Sequence, residues 1–227
     1  MDYSTSAIYD PVKAERDACG IGFVADARGR SSRAMVDNTL DALMRVRHRG
    51  ALNADALTGD GAGVLLPLPT DRAVFGVADA ERAGIAMCFL DPVDPSVGRS
   101  YVEQACIDEG LTLDAWRPVP VDESALGDQA KVGMPSIEQA IIIRPEGFDE
   151  EDGERRAFRA RRRAEDAARA AEVRLYIASF SFRTITYKAL CAADQLAAFY
   201  PDLADERYEA WFGIFHQRFA TNTTPTW

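Results

Sequence analysis

The stretch Asp17-Ala18-Cys19-Gly20-Ile21-Gly22-Phe23 decides how the rest of this sequence is read. Cys19 opens a strand-like run, and residues 1–18 before it form a polar leader with little apolar content of its own. If that leader is removed, Cys19 becomes a chain terminus. One residue then carries both a thiol nucleophile and an α-amine, whose ordinary pKa of roughly 7.7 to 8.0 suits a general base near neutral pH. Gly20 and Gly22 put no Cβ beside the sulfur, so a substrate or a neighbouring strand can approach closely. The competing reading is a small buried cysteine in a strand, because free cysteine is among the most buried residue types.

The composition narrows the function classes. At 227 residues and 47 % hydrophobic the chain can bury a sizeable core as one domain. Lys and Arg number 26 against 36 Asp and Glu, a net charge of -10, which speaks against nucleic acid or an anionic membrane as partner. The 4 cysteines, Cys19, Cys88, Cys106 and Cys191, are far apart with no Cys-x-x-Cys pair, and there are 2 histidines. Neither a disulfide framework nor a metal site is expected, and a reducing cytoplasm fits. No run approaches the roughly 18 to 20 apolar residues that a membrane span needs. Lys13, Glu15, Arg16 and Asp17 stand where the apolar part of a signal peptide would end, so residues 1–18 read as a propeptide ahead of a domain spanning 19–227.

Local patterns outline the elements. Strands are expected over 19–25, within the glycine-rich 57–68, and over 85–90, 139–143, 173–180, 184–187 and 211–219. A helix capped by Ser31 or Ser32 should run to about Arg47, with Met35, Val36, Leu40, Leu43, Met44 and Val46 near helical spacing. Further helices are expected over 97–109 and 192–200. The Arg-rich segment 150–174 reads as a solvated helix with interleaved ion pairs, since acids flank its basic cluster. Many strands with helices set between them make a layered α+β domain.

Three further segments carry chemistry. Arg49-Gly50 ends the first helix, where Arg49 either bonds around the nucleophile or caps carbonyls. Gly59-Asp60-Gly61-Ala62-Gly63 lacks the Lys-Ser/Thr ending of a phosphate loop, so a nucleotide site is not supported. In His216-Gln217-Arg218-Phe219-Ala220-Thr221-Asn222-Thr223, the Arg218 fork matches a carboxylate bidentately and Thr221 adds a hydroxyl donor. Taken alone, Arg218 also suits a salt bridge. His216 reads as a structural histidine, because an N-terminal amine leaves it no necessary catalytic role.

These four segments, in this order, closely resemble the amino-terminal glutaminase domain of the glutamate synthase large subunit, a class II glutamine amidotransferase of the N-terminal-nucleophile hydrolase type. The resemblance implies an αββα four-layer sandwich with Cys19 exposed by cleavage after Ala18. It implies that Cys19 attacks the side-chain amide of glutamine, forming a thioester and releasing ammonia, and that water then frees glutamate. Arg218 would bind the α-carboxylate of glutamine with Thr221 nearby, and Arg49 and Gly50 would line the nucleophile's surroundings. For the full-length enzyme it implies FMN, an iron–sulfur cluster, synthase domains that use the ammonia, and a small reductase subunit in some forms. In that family an Asn-Gly pair beyond the Thr-Asn-Thr segment supplies the oxyanion hole, and a later acid binds the substrate's amino group. The chain ends at Trp227, so the sandwich is expected to be truncated at the C-terminus and inactive alone, since one oxyanion donor is typically worth about a hundredfold to a thousandfold in rate. The alternatives are a different N-terminal-nucleophile amidohydrolase and a non-catalytic remnant that keeps the fold.

Overall fold

The computed structural model describes residues 20–77, 80–218 and 225–227. Cys19 and Thr221 therefore lie outside the described residues. Among the described residues, two antiparallel sheets are built from eight strands. In chain order these are β1 (Gly20–Ala25), β2 (Ala62–Pro67), β3 (Ala83–Leu90), β4 (Thr112–Pro118), β5 (Ser136–Ile143), β6 (Leu175–Ser181), β7 (Thr184–Ala189) and β8 (Phe212–Gln217). The first sheet has the order β1-β8-β2-β7 and the second β4-β5-β3-β6. The helices are α1 (Arg33–Arg45), α2 (Pro95–Asp108), the short α3 (Asp128–Lys131), α4 (Glu150–Ala170) and the short α5 (Leu196–Phe199). Two antiparallel sheets with helices against them are what an αββα sandwich requires.

Strand β3 shows why the layers form. All eight of its residues are buried, as expected of an apolar run covered on both faces. Ile85, Met87 and Phe89 join the core shared with the first sheet, where Val64, Leu66, Ile185, Tyr187 and Phe215 meet them and Val36 and Leu43 of α1. Ala86, Cys88 and Leu90 point the other way, into a second core with Val102 and Cys106 of α2 and Ala157, Ala160 and Ala164 of α4. The alternation of one strand thus serves two layers.

The outer helices are capped as their sequences dictate. Asp94 accepts from the Ser96 amide with Pro95 in the first turn of α2, and Asp149 accepts from the Asp152 amide at the start of α4. The Arg-rich segment is a helix with interleaved ion pairs, Arg161 to Glu165 and Arg169 to Asp166 at 2.9 Å among them, but one of its faces is not solvated. Gly153, Ala157, Ala160, Ala164 and Ala168 form a buried stripe, and Arg159 and Arg163 both reach Glu109 at the end of α2, each at 2.6 Å. Burial pushes the Glu109 carboxyl up, and the two arginines outweigh it, holding the group below its ordinary value. The basic cluster ties α4 to α2.

Other expectations shift in detail. Helix α1 stops at Arg45 and a 3-10 turn covers Arg47–Arg49. Ser32 takes the N-cap position but makes no side-chain capping bond. The glycine-rich strand begins only at Ala62, and the helix expected over 192–200 contracts to Leu196–Phe199. Strand β4 (Thr112–Pro118) has no counterpart among the expected strands.

The first sheet has two unlike faces near β1 and β8. Antiparallel register pairs Gly20 with Gln217, Gly22 with Phe215 and Val24 with Gly213. A Cβ at Gly213 would run into Thr39 of α1, and one at Gly22 into the Phe215 ring, so these residues are small because helix and ring occupy that face. The opposite face carries Ile21, Phe23 and Ile214, which are exposed. Among the described residues no helix is long and apolar enough to cross a membrane.

Candidate active site

Antiparallel order gathers the segments singled out above at one end of the first sheet. Strand β1 starts there, β8 ends there, and β2, antiparallel to β8, starts there. Gly20, the residue bonded to Cys19, is therefore the register partner of Gln217, which is in turn paired with Ala62. The glycine block 59–63 and Arg218 arrive at the same place, although their positions in the chain are far apart.

The turn after α1 closes the site from one side. A Cβ at Gly20 would lie 3.1 Å from the Cβ atoms of both Val46 and Arg49. The stem of Arg49 thus packs against the residue that follows the candidate nucleophile. Gly50 has ordinary extended backbone (φ -89, ψ 166), but any Cβ there would collide with the Gln217 carboxamide. Its smallness serves contact, not conformation. Arg47 lies 3.3 Å from Asp194, and His48 is exposed with Nδ1 3.2 Å from the Arg45 carbonyl. A cleft of about 320 Å³ opens here, lined by Arg47, His48, Gly50, Ala51, Ala192 and Gln217 among others.

Asp60 is the hub that residue-by-residue reading missed. It is 5 % exposed. Its Oδ2 accepts from the Ala51 amide at 2.9 Å and lies 3.4 Å from Arg218 Nε. Its Oδ1 accepts from Gln217 Nε2 at 3.1 Å. The Gly61 carbonyl accepts from the same Gln217 nitrogen at 3.1 Å and from the Arg218 amide at 2.7 Å. Arg218 itself has φ 73, a left-handed conformation that non-glycine residues seldom adopt and that marks functional turns when the surroundings enforce it. The visible signal was an aspartate between two glycines; its partners could not be read from the sequence.

The other nucleophile and base candidates fare differently. Cys88, Cys106 and Cys191 are free and buried. Burial pushes the Cys106 thiol up to about 12 and raises those of Cys88 and Cys191 as well, which leaves all three protonated and unreactive. His216 alternates with Gln217 along β8, so it belongs to the face opposite Arg49 and Gly50, opposite Ile21 and Gly63 in register. Burial, with Lys188 nearby, lowers its pKa and keeps it neutral. Among the described residues no three His, Cys, Asp or Glu side chains gather as a metal site would require.

Known proteins resemble this chain over nearly all of its length. The family model of glutamine amidotransferases class-II matches residues 19–227. The ferredoxin-dependent glutamate synthase 2 of Synechocystis is 40 % identical over 94 % of this chain and 14 % of its own length. The glutamate synthase [NADPH] large chain of Azospirillum brasilense is 37 % identical over 99 % of this chain and 15 % of its own. The chloroplastic ferredoxin-dependent glutamate synthase 2 of Arabidopsis thaliana is 34 % identical over 97 % and 14 % respectively. The chain thus spans about one seventh of the length of these relatives. With its two antiparallel sheets and a match over nearly all its length, the chain belongs to the class II glutamine amidotransferases, enzymes with the N-terminal-nucleophile hydrolase fold.

Proposed function

We propose that this chain hydrolyses the side-chain amide of glutamine, with Cys19 as nucleophile once residues 1–18 have been removed as a propeptide. The freed α-amine takes the thiol proton, and the thiolate attacks the amide carbon. The C–N bond of the tetrahedral adduct breaks, and the leaving nitrogen collects the proton from the amine and departs as ammonia. Water, deprotonated by the same amine, then attacks the thioester; glutamate leaves and the thiol is restored. Arg218, with Thr221, holds the α-carboxylate, and Arg49 and Gly50 bound the space around the sulfur. One observation carries this reading: the start of β1, the stem of Arg49 and the turn bearing Arg218 meet at one end of one sheet. Support comes also from a family match that begins at residue 19 and from the three remaining cysteines being buried and protonated.

In a longer polypeptide like those of the relatives, the ammonia would pass to synthase domains that make glutamate in the cytoplasm, with FMN, an iron–sulfur cluster and in some forms a small reductase subunit. The described residues of this chain do not fit such a cluster, since no metal-sized group of ligands forms among them. Glutamine hydrolysis at Cys19 passes through neither group.

The test is mass spectrometry of the full-length polypeptide before and after treatment with an electrophilic glutamine analogue. An N-terminus at Cys19 and a single adduct on that residue, both lost in Cys19→Ala, are expected. A retained leader with no adduct would instead favour a non-catalytic remnant. Adduct formation indifferent to Arg218→Ala would favour an amidohydrolase for another substrate.

A further inference from the structure

We infer that Asp60 is a positioning residue for glutamine: it sets the direction of the Arg218 guanidinium and of the Gln217 carboxamide, and so gives the Gly59-Asp60-Gly61 turn its purpose. The inference rests on the reading that Arg218 takes the substrate's α-carboxylate.

The turn is built so that its carboxylate cannot wander. A Cβ at Gly59 would collide with the backbone of Cys191 and Ala192, and Gly61 has φ 115, a conformation natural only to glycine. The Asp60 amide donates to the Ala51 carbonyl at 3.2 Å while the Ala51 amide donates back to Oδ2 at 2.9 Å. This reciprocal pair fixes the carboxylate between the turn that follows Arg49 and the end of β8. From that fixed point Oδ2 faces Arg218 Nε at 3.4 Å. A contact at Nε constrains the plane and direction of the guanidinium. The Arg218 backbone, held left-handed by its amide bond to Gly61, supplies the second constraint. Two independent anchors on one arginine define where a bidentate carboxylate must sit.

Gln217 is fixed by the same hub. Its Nε2 is spent on two acceptors, Asp60 Oδ1 and the Gly61 carbonyl. That assigns the carboxamide unambiguously and leaves Oε1 buried without a partner, in a side chain 1 % exposed that lines the cleft. An acceptor held in this state is costly unless something donates to it, and a bound substrate with its amino and amide N–H groups is rich in donors.

The experiment compares two rates on Cys19 of the full-length polypeptide: alkylation by iodoacetamide, which needs no carboxylate clamp, and inactivation by an electrophilic glutamine analogue, which does. Steady-state glutamine hydrolysis is measured alongside. Replacing Asp60 by Asn puts an N–H₂ group where three donors converge. Asp60→Asn should slow the analogue about tenfold or more, leave iodoacetamide within about twofold, and raise KM for glutamine more than it lowers kcat. Asp60→Glu, which keeps the charge but displaces it, should fall between and covers the case in which Asp60→Asn does not fold. Because Asp60 acts through Arg218, adding Asp60→Asn to Arg218→Ala should slow the analogue little further. Equal loss with both reagents means a merely structural role and overturns the inference. So does an Asp60→Asn effect that persists in full on the Arg218→Ala background. If Arg218→Ala alone slows the analogue while Asp60→Asn does not, the clamp stands and the inference falls. If Arg218→Ala changes nothing, the clamp itself is wrong.

Discussion

Substituting Gly50 by alanine isolates a single steric contact at the candidate active site. The backbone there is extended, with φ -89, so alanine meets no conformational penalty. The new Cβ would overlap Gln217 Nε2 and lie 2.8 Å from Gln217 Cδ and 3.1 Å from Asp60 Oδ1. Gln217 is buried and cannot swing into solvent. Its carboxamide must therefore rotate off both acceptors, Asp60 Oδ1 and the Gly61 carbonyl, each now at 3.1 Å. At about 0.5–1.5 kcal/mol net per bond, the loss comes to about 1–3 kcal/mol, the range found when a packed site is overfilled. For a chain of this length that lowers Tm by about 2–4 °C per kcal/mol. Urea unfolding followed by tryptophan fluorescence measures it, with Gln217→Ala and the double variant completing a cycle. Once the amide is gone, the two tightest contacts of alanine at position 50 go with it, so the two substitutions should be non-additive by about 1 kcal/mol or more. A strictly additive cycle would refute the proposed collision.

Other perturbations probe the frame and its acid response. Asp202 accepts from both terminal nitrogens of Arg117, at 2.9 and 2.7 Å, and from the Tyr187 hydroxyl at 2.9 Å. Asp202→Ala strands a largely buried guanidinium and should cost about 3–5 kcal/mol in urea unfolding. Glu150→Ala, which breaks the exposed pair with Arg183, should cost less than about 1 kcal/mol; equal losses would contradict the assignment. Bonds from the Thr58 hydroxyl, the Thr58 amide and the Leu57 amide hold the Asp55 carboxyl at about 2, below its ordinary 3.8. A depressed carboxyl contributes fully above its unfolded value and loses that contribution as pH falls through the folded one. The loop 55–58 should thus lose amide protection between about pH 4 and pH 2, and Asp55→Asn should flatten that dependence. Phe23, 75 % exposed on the open apolar face, should tolerate serine with a urea midpoint change under about 0.5 kcal/mol equivalent and with improved solubility in light scattering.

What could be read from the chain, and what could not, follows from how far each signal reaches. Strand β3 declares itself because its eight residues are apolar without interruption. Strand β4 hides because Asp114, Arg117 and Pro118 interrupt it and a register shift between Leu113 and Ala115 breaks the period of two. The segment 192–200 has helix-like composition, yet Gln195 Oε1 takes the Ala192 amide at 2.7 Å and Pro201 follows closely, so only Leu196–Phe199 closes a helical turn. Arg49, Gly50 and Arg218 are each conspicuous beside their neighbours in the sequence. Their adjacency is not legible there, since it depends on β8 lying between β1 and β2, and nothing in 212–217 states which strands it will pair with. The same holds more strongly for Asp60. An aspartate between glycines reads as a turn, and its bond to Gln217 spans 157 positions. Only when the sheet closes does that turn face the one arginine among the described residues whose backbone is left-handed. A strained residue persists when its surroundings over-determine it, and here the surroundings are the glycine block itself. The glycine block that lacks the ending of a phosphate loop thus holds Arg218 through the Gly61 carbonyl and the Asp60 carboxylate, so the site is a property of the sheet end as a unit and not of any one motif.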